Sequence, residues 1–150
     1  MRTTKYAYYP GCSLHSTGSE YDISFRAVCR KLGVDIEEIK GWICCGTSPA
    51  HCSSRLLSLA LPYENLYLAS QMGASEVVAP CAACFARLRT AIFEAEQDGD
   101  IARQISQVLQ RPLPKSLEVV SPLQIFGDAE ALAGAVVREL PGLKVACYYG

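Results

Sequence analysis

The sequence predicts an α/β fold: a layered structure with a small, mainly parallel sheet flanked by helices, and with cysteine loops at the carboxyl edge of the strands. Three observations predict it. Short aromatic or β-branched runs alternate with segments of helical periodicity along the whole chain. Half of the 150 residues are apolar, enough to bury a core without disulfides. No linker or low-complexity stretch interrupts the pattern, so residues 1–150 read as a single domain.

Lys5–Tyr9 is an aromatic run ended by Pro10-Gly11, a first strand. Tyr21–Leu32 is an amphipathic helix with Tyr21, Phe25, Val28, Cys29 and Leu32 on one face, and Gly33 stops it. Val34–Ile39 is a second strand. Leu61–Met72 is a helix with Pro62 in its first turn and Gly73 after its end. Glu76–Ala79 is a third strand. Cys84–Glu96 is a helix presenting Phe85, Leu88, Ile92 and Ala95 on one side, and Asp100 is placed to cap a further helix carrying Ile101, Ile105, Val108 and Leu109. Leu117–Val120 is a fourth strand. A last helix is expected from about Asp128 to Leu140, and Lys144–Tyr148 reads as the start of a fifth strand.

Charge and hydropathy narrow the function. The net charge of −1 and the absence of a basic run argue against nucleic acid as a partner. No apolar stretch reaches the roughly 20 residues that span a bilayer, so no direct membrane insertion is expected. Met1–Lys5 leads into tyrosines and Pro-Gly rather than the apolar core of a signal peptide, which predicts a cytoplasmic protein. Eight cysteines are many for such a chain, and in a reducing compartment they point to metal ligands or catalytic thiols rather than disulfides. There is no GxGxxG and no Walker loop, so no dinucleotide is expected on this chain.

The cysteines follow the pattern C-x31-CCG-x34-CxxC, made by Cys12, Cys44-Cys45-Gly46 and Cys81-Ala82-Ala83-Cys84. Each group follows a predicted strand, so all can converge at the carboxyl edge of the sheet, where open α/β folds place their sites. Gly11 and Gly46 adjoin the candidate ligands and permit close backbone approach. Cys81 and Cys84 lie where a strand meets a helix N-terminus, whose free N–H groups favour thiolates. Adjacent cysteines can serve one centre only from a loop or bend, or if the centre is wide, because successive side chains of an extended chain point to opposite sides. One zinc ion takes four ligands, and five candidates suggest a polynuclear centre. Soft thiolates suit iron–sulfur, zinc or copper(I), and redox thiols are a further reading.

The five-cysteine pattern, with Tyr8-Tyr9-Pro10-Gly11-Cys12-Ser13 before it and Ala79-Pro80-Cys81 near its end, resembles the cysteine-rich (CCG) domain family, and within it the N-terminal half of heterodisulfide reductase B subunits. The resemblance implies a non-cubane 4Fe–4S cluster held by Cys12, Cys44, Cys45, Cys81 and Cys84, with no catalytic residue beyond these ligands. It implies an oxidoreductase acting on a small disulfide substrate between two such repeats. It implies a ferredoxin-like C subunit that donates the electrons and a flavin-bearing A subunit that feeds it. Related domains occur in lactate-utilisation, glycolate-oxidase and anaerobic glycerol-phosphate dehydrogenase systems, so a non-catalytic domain with structural zinc or a relay cluster is the alternative. Tyr6-Ala7-Tyr8-Tyr9-Pro10-Gly11 is echoed by Val145-Ala146-Cys147-Tyr148-Tyr149-Gly150, which suggests the N-terminal repeat of a longer two-repeat protein. Such a single repeat is expected to fold but to lack steady disulfide-reductase turnover.

The remaining polar and sulfur residues have plainer readings. Cys29 lies on an apolar helix face and reads as core, and Cys147 as strand filler. Cys52, close behind Cys45, is ambiguous. His15 and His51 flank the cysteine loops as surface or supporting groups rather than ligands. Trp42 is either core packing or a shield between the centre and water. Glu94, Glu96, Asp98 and Asp100 form a solvated helix end, not a catalytic pair.

Overall fold

The computed structural model of the chain describes residues 5–47, 49–127 and 129–146. Four short strands, β1 (Lys5–Tyr8), β2 (Asp35–Glu38), β3 (Glu76–Val78) and β4 (Glu118–Val120), pair in parallel in the order β2-β1-β3-β4. Helices fill the connections: α1 (Gly11–Leu14), α2 (Ser19–Leu32), α3 (Pro49–Ser53), α4 (Arg55–Gln71), α5 (Ala82–Gln97), α6 (Gly99–Leu109), α7 (Pro122–Phe126) and α8 (Ala129–Ala135). This is the α/β architecture that the alternating pattern predicts.

The strand alternation sorts side chains onto two faces. Ala7, Tyr9, Val77, Ala79 and Val119 meet Leu59, Tyr63 and Leu66 of α4, Leu88 and Ala91 of α5, and Ile101 and Ile105 of α6. Tyr8, Val78 and Val120 meet Leu14, Phe25 and Cys29 on the other side, with Ile125 and Phe126 of α7 beside them. Both faces are therefore covered, as a parallel sheet requires. Cys29 sits in this second layer, the core position its helix face predicts.

Several boundaries differ from the expectation, each for a local reason. Helix α4 begins at Arg55, not Leu61, and runs through Pro62. Pro62 removes one helical N–H donor, but Leu59, Ala60, Tyr63 and Leu66 around it are all buried, and this packing carries the helix past the lost bond. The start signal is Ser54, whose hydroxyl accepts from the Leu57 N–H at 3.3 Å. Helix α6 is capped by Asp98, which accepts from the N–H groups of Asp100 and Ile101 at 2.9 and 3.2 Å, while Asp100 sits in the first turn and pairs with Arg103. Glu94 is held by Arg55, so three of the four acids of this run serve as a cap and in two ion pairs.

The helix expected over 128–140 is realised as the shorter α8. A separate short helix, α7, precedes it and starts on a Ser121–Gln124 capping box. Residues 144–146 form no strand, and Cys147 and Tyr148 lie outside the described residues. Gly33 ends α2 as expected: at φ +69° it lets its own N–H reach Arg30 and the Val34 N–H reach Cys29.

Leu88 is fully buried between helices and sheet, and Phe93, five residues on, is 62% exposed. Leu88→Ala should lower the unfolding free energy by about 2–5 kcal/mol, and Phe93→Ala should change it by no more than about 0.5 kcal/mol. Urea denaturation of the two variants checks this; equal losses would place Leu88 outside the core.

Candidate metal centre

The order β2-β1-β3-β4 fixes where a site can form. From β1 the chain winds to one side to reach β2, and then to the other side to reach β3. The loops leaving the carboxyl ends of β1 and β3 therefore diverge, and a crevice opens between them. Cys12 follows β1. Cys81 and Cys84 follow β3. Cys44 and Cys45 come from the long connection after β2.

The structure brings these five thiols together. Cys45 and Cys84 are buried, with their Sγ atoms 3.5 Å apart. Cys84 also meets the Cys81 thiol, and Cys44 meets the Cys12 thiol. Cys12 and Cys44 are exposed, and Cys81 is half-buried. Among the described residues no three His, Cys, Asp or Glu side chains close on a single point as the ligands of one metal ion do. The thiols are instead arrayed as a Cys12–Cys44 contact beside a Cys45–Cys84–Cys81 chain.

Two glycines make this approach possible. Gly11 has φ +70°, and a Cβ there would stand 2.7 Å from Cys84 Sγ. Gly46 has φ +76°, and its Cβ would meet Leu61 and Ala50 at 2.7 and 2.8 Å. Any side chain at position 11 would displace Cys84, and any at 46 would push the double-cysteine loop away from α3 and α4.

Electrostatics divide the thiols. Cys45 is held below the ordinary thiol range by its hydrogen bond with Cys84, helped by the Thr47 hydroxyl at 3.0 Å. Cys84 is pushed up by that same contact and by burial. For Cys44 the Gly46 N–H pulls downward, but burial and the neighbouring Cys45 and Cys12 thiols outweigh it, and the net shift is upward. Tyr9 is raised by burial and then by the charges of Cys84, Cys45, Cys44 and Cys12. Tyr21, at the start of α2, is raised by burial and then by Cys81.

The loop before Cys44 is tied from both sides. The Tyr9 hydroxyl donates to the Ile43 carbonyl at 2.7 Å, and the Ile43 N–H donates to Asn65 Oδ1 at 2.8 Å. Trp42 packs edge-on against Tyr9 at 5.6 Å, and its indole N–H donates to Glu38 at 3.1 Å. His15 lies edge-on to Trp42 and 3.2 Å from Glu38, and Arg26 joins Glu38 to Asp22. His51 meets Arg87 at 3.2 Å, and Cys52 is exposed on α3. Sequence reasoning names Tyr9 only as part of the first strand and its motif, and does not single out Asn65. The signal that it offers is a lone Asn on the apolar face of a helix that also carries Leu59, Tyr63, Leu66 and Ala69.

Comparison with known proteins gives the family and two relatives. Residues 6–89 match the family described as CCG, cysteine-rich domain. The chain is 35% identical over 150 residues to the 8-methylmenaquinol:fumarate reductase membrane anchor subunit of Wolinella succinogenes, covering 97% of this chain and 52% of that protein. It is 24% identical over 106 residues to a heterodisulfide reductase B-subunit-like protein of Archaeoglobus profundus, covering 70% of this chain and 35% of that protein. The chain thus spans about half the length of one relative and about a third of the other. Among the described residues no helix is long and apolar enough to cross a membrane. The match covers more than half of the sequence and includes all three cysteine groups that meet at the crevice: the chain belongs to the cysteine-rich (CCG) domain family.

Proposed function

We propose that this chain is the iron–sulfur module of an oxidoreductase complex that reduces a disulfide, with a non-cubane 4Fe–4S cluster held by Cys12, Cys44, Cys45, Cys81 and Cys84. The observation that carries the reading is the juxtaposition of a Cys12–Cys44 contact and a Cys45–Cys84–Cys81 chain, contributed by the three segments that follow β1, β2 and β3. The residues fit such a group: every donor is a soft sulfur, and Gly11 and Gly46 lack the Cβ atoms that would close the space around them. When bound, the cluster supplies one-electron transfer and iron with an affinity for sulfur.

The chain's own residues divide the remaining work. Cys45 and Cys84 lie on the protein side, where Tyr9 and Trp42 keep water from the sheet. Cys12 and Cys44 face the open side, where a substrate sulfur can approach. Cleaving a disulfide takes two electrons and two protons and yields two thiols. This chain carries no flavin or nicotinamide motif, so the electrons come from partners: a ferredoxin-like C subunit, fed by a flavin-bearing A subunit, in the cytoplasm.

A second reading is favoured by the longer and higher-identity match to a menaquinol:fumarate reductase subunit. There the same thiol centre would be a relay, taking electrons from a quinol and passing them to a reductase partner without meeting a disulfide. Stopped-flow reoxidation of the reduced complex distinguishes the two: a disulfide oxidises it directly in the first reading, and only the quinone or the terminal acceptor does so in the second.

Anaerobic purification should give a brown protein with about four irons per chain. Stoichiometric zinc without iron, from material never exposed to air, would overturn the assignment. Cys45→Ser should lose the iron while Cys29→Ser keeps it, because Cys29 lies in the opposite core layer beside Phe25. Gly11→Ala should also lose iron, by driving its methyl into Cys84. Iron and sulfide analysis with circular dichroism on the same samples separates cluster loss from unfolding; equal iron loss in both serine variants would sink the ligand assignment.

A further inference from the structure

We propose that Tyr9 and Asn65 are positioning residues, a two-sided clamp on the peptide groups of Ile43 that fixes where the adjacent Cys44 and Cys45 thiols stand. The proposal rests on reading those thiols as ligands of one centre.

An extended chain sends successive side chains to opposite sides, so a Cys-Cys pair reaches one crevice only if the backbone is bent and kept bent. Gly46 permits the bend on the far side of the pair, at φ +76°. On the near side no helix or strand holds the chain: residues 42–46 carry no regular structure. Both polar groups of the Ile43 backbone nevertheless find partners, and both partners are side chains. The N–H donates to Asn65 Oδ1 at 2.8 Å, and the C=O accepts from the Tyr9 hydroxyl at 2.7 Å.

The two partners come from rigid and separate places. Tyr9 follows β1 and is fully buried, and Asn65 lies mid-way along α4 with 1% of its surface exposed. The orientation of Asn65 is determined: its Nδ2 donates to the Leu61 carbonyl at 3.1 Å, which leaves Oδ1 for Ile43. A buried amide and a buried phenol are retained in an apolar layer only where their hydrogen bonds are made. Here those bonds converge on one residue, the one before Cys44. The clamp thus couples the double-cysteine loop to the sheet through Tyr9 and to the helical layer through Asn65.

The test uses the full chain in two states. In reduced, iron-free protein, iodoacetamide labelling of Cys45 and Cys29 is followed by peptide mass spectrometry for Tyr9→Phe and Asn65→Leu. Each variant removes one arm, and each should speed Cys45 labelling about tenfold, the extra opening that one lost buried hydrogen bond allows. Cys29, fully buried in the other core layer, should stay protected. In iron-loaded protein the same variants should shift the electron paramagnetic resonance signal at unchanged iron content. An unchanged Cys45 rate in either folded variant overturns the clamp. Exposure of Cys29 in both variants overturns it as well, since the two residues would then hold the whole core rather than this loop. A parent chain that binds no iron, but whose Cys45 responds as described, keeps the clamp and removes the cluster.

Discussion

Everything at the thiol crevice depends on β1 having neighbours on both sides. Because β2 and β3 flank it, the crossover that leaves β1 and the one that leaves β3 run to opposite sides, and a crevice opens between the carboxyl ends of these two strands. The strands themselves are only three or four residues long, so the loops begin almost at once and are held by what lies under them. Tyr8 and Tyr9 illustrate this. As neighbours they point to opposite faces of the sheet: Tyr8 stacks on Phe25 and donates to Asp22, while Tyr9 reaches under the double-cysteine loop. One dipeptide therefore anchors the two layers and the site between them.

The two edges of the sheet are treated differently. β2 is acidic, with Asp35, Glu37 and Glu38, and Lys5 of β1 bridges to Glu37. Charge of one sign on an exposed edge discourages pairing with another chain. At the other edge, Arg89 of α5 donates to the Val119 carbonyl of β4 at 3.4 Å, so a side chain occupies part of the edge that a strand could use. Glu38 serves inward as well: it takes the indole N–H of Trp42 and one end of Arg26, which ties the β2 edge to the aromatic floor of the crevice.

The elements legible in the sequence are those whose periodicity and stop signals agree. Helix α2 has an apolar face, acids in its first turn, bases in its last turn and Gly33 after it, and its bounds fall within two residues of the expectation. The three cysteine groups are legible as segments that come after strands because each comes after a β-branched or aromatic run. Helix α4 reads short because Pro62 is a strong local breaker, and a breaker's effect is set by burial that a sequence window does not show. The last helix reads long because Ala-rich residues favour helix wherever they lie, whereas Val136, Val137 and Leu140 are exposed and gain little from packing. Asn65 is not legible as part of the site, since its partner is a backbone group more than twenty residues away rather than a side chain of complementary type.

The depth of the sulfur atoms gives damage a direction. Cys12 and Cys44 meet solvent, Cys81 is half covered, and Cys45 and Cys84 lie beneath. Oxidants attack accessible thiolates first, and the early steps of that ladder are reversible while the later ones are not. Air would therefore erode this centre from the rim inward, and the first sulfurs lost would be those furthest from the core. The buried pair, with the Gly11 backbone packed over Cys84, would be reached last.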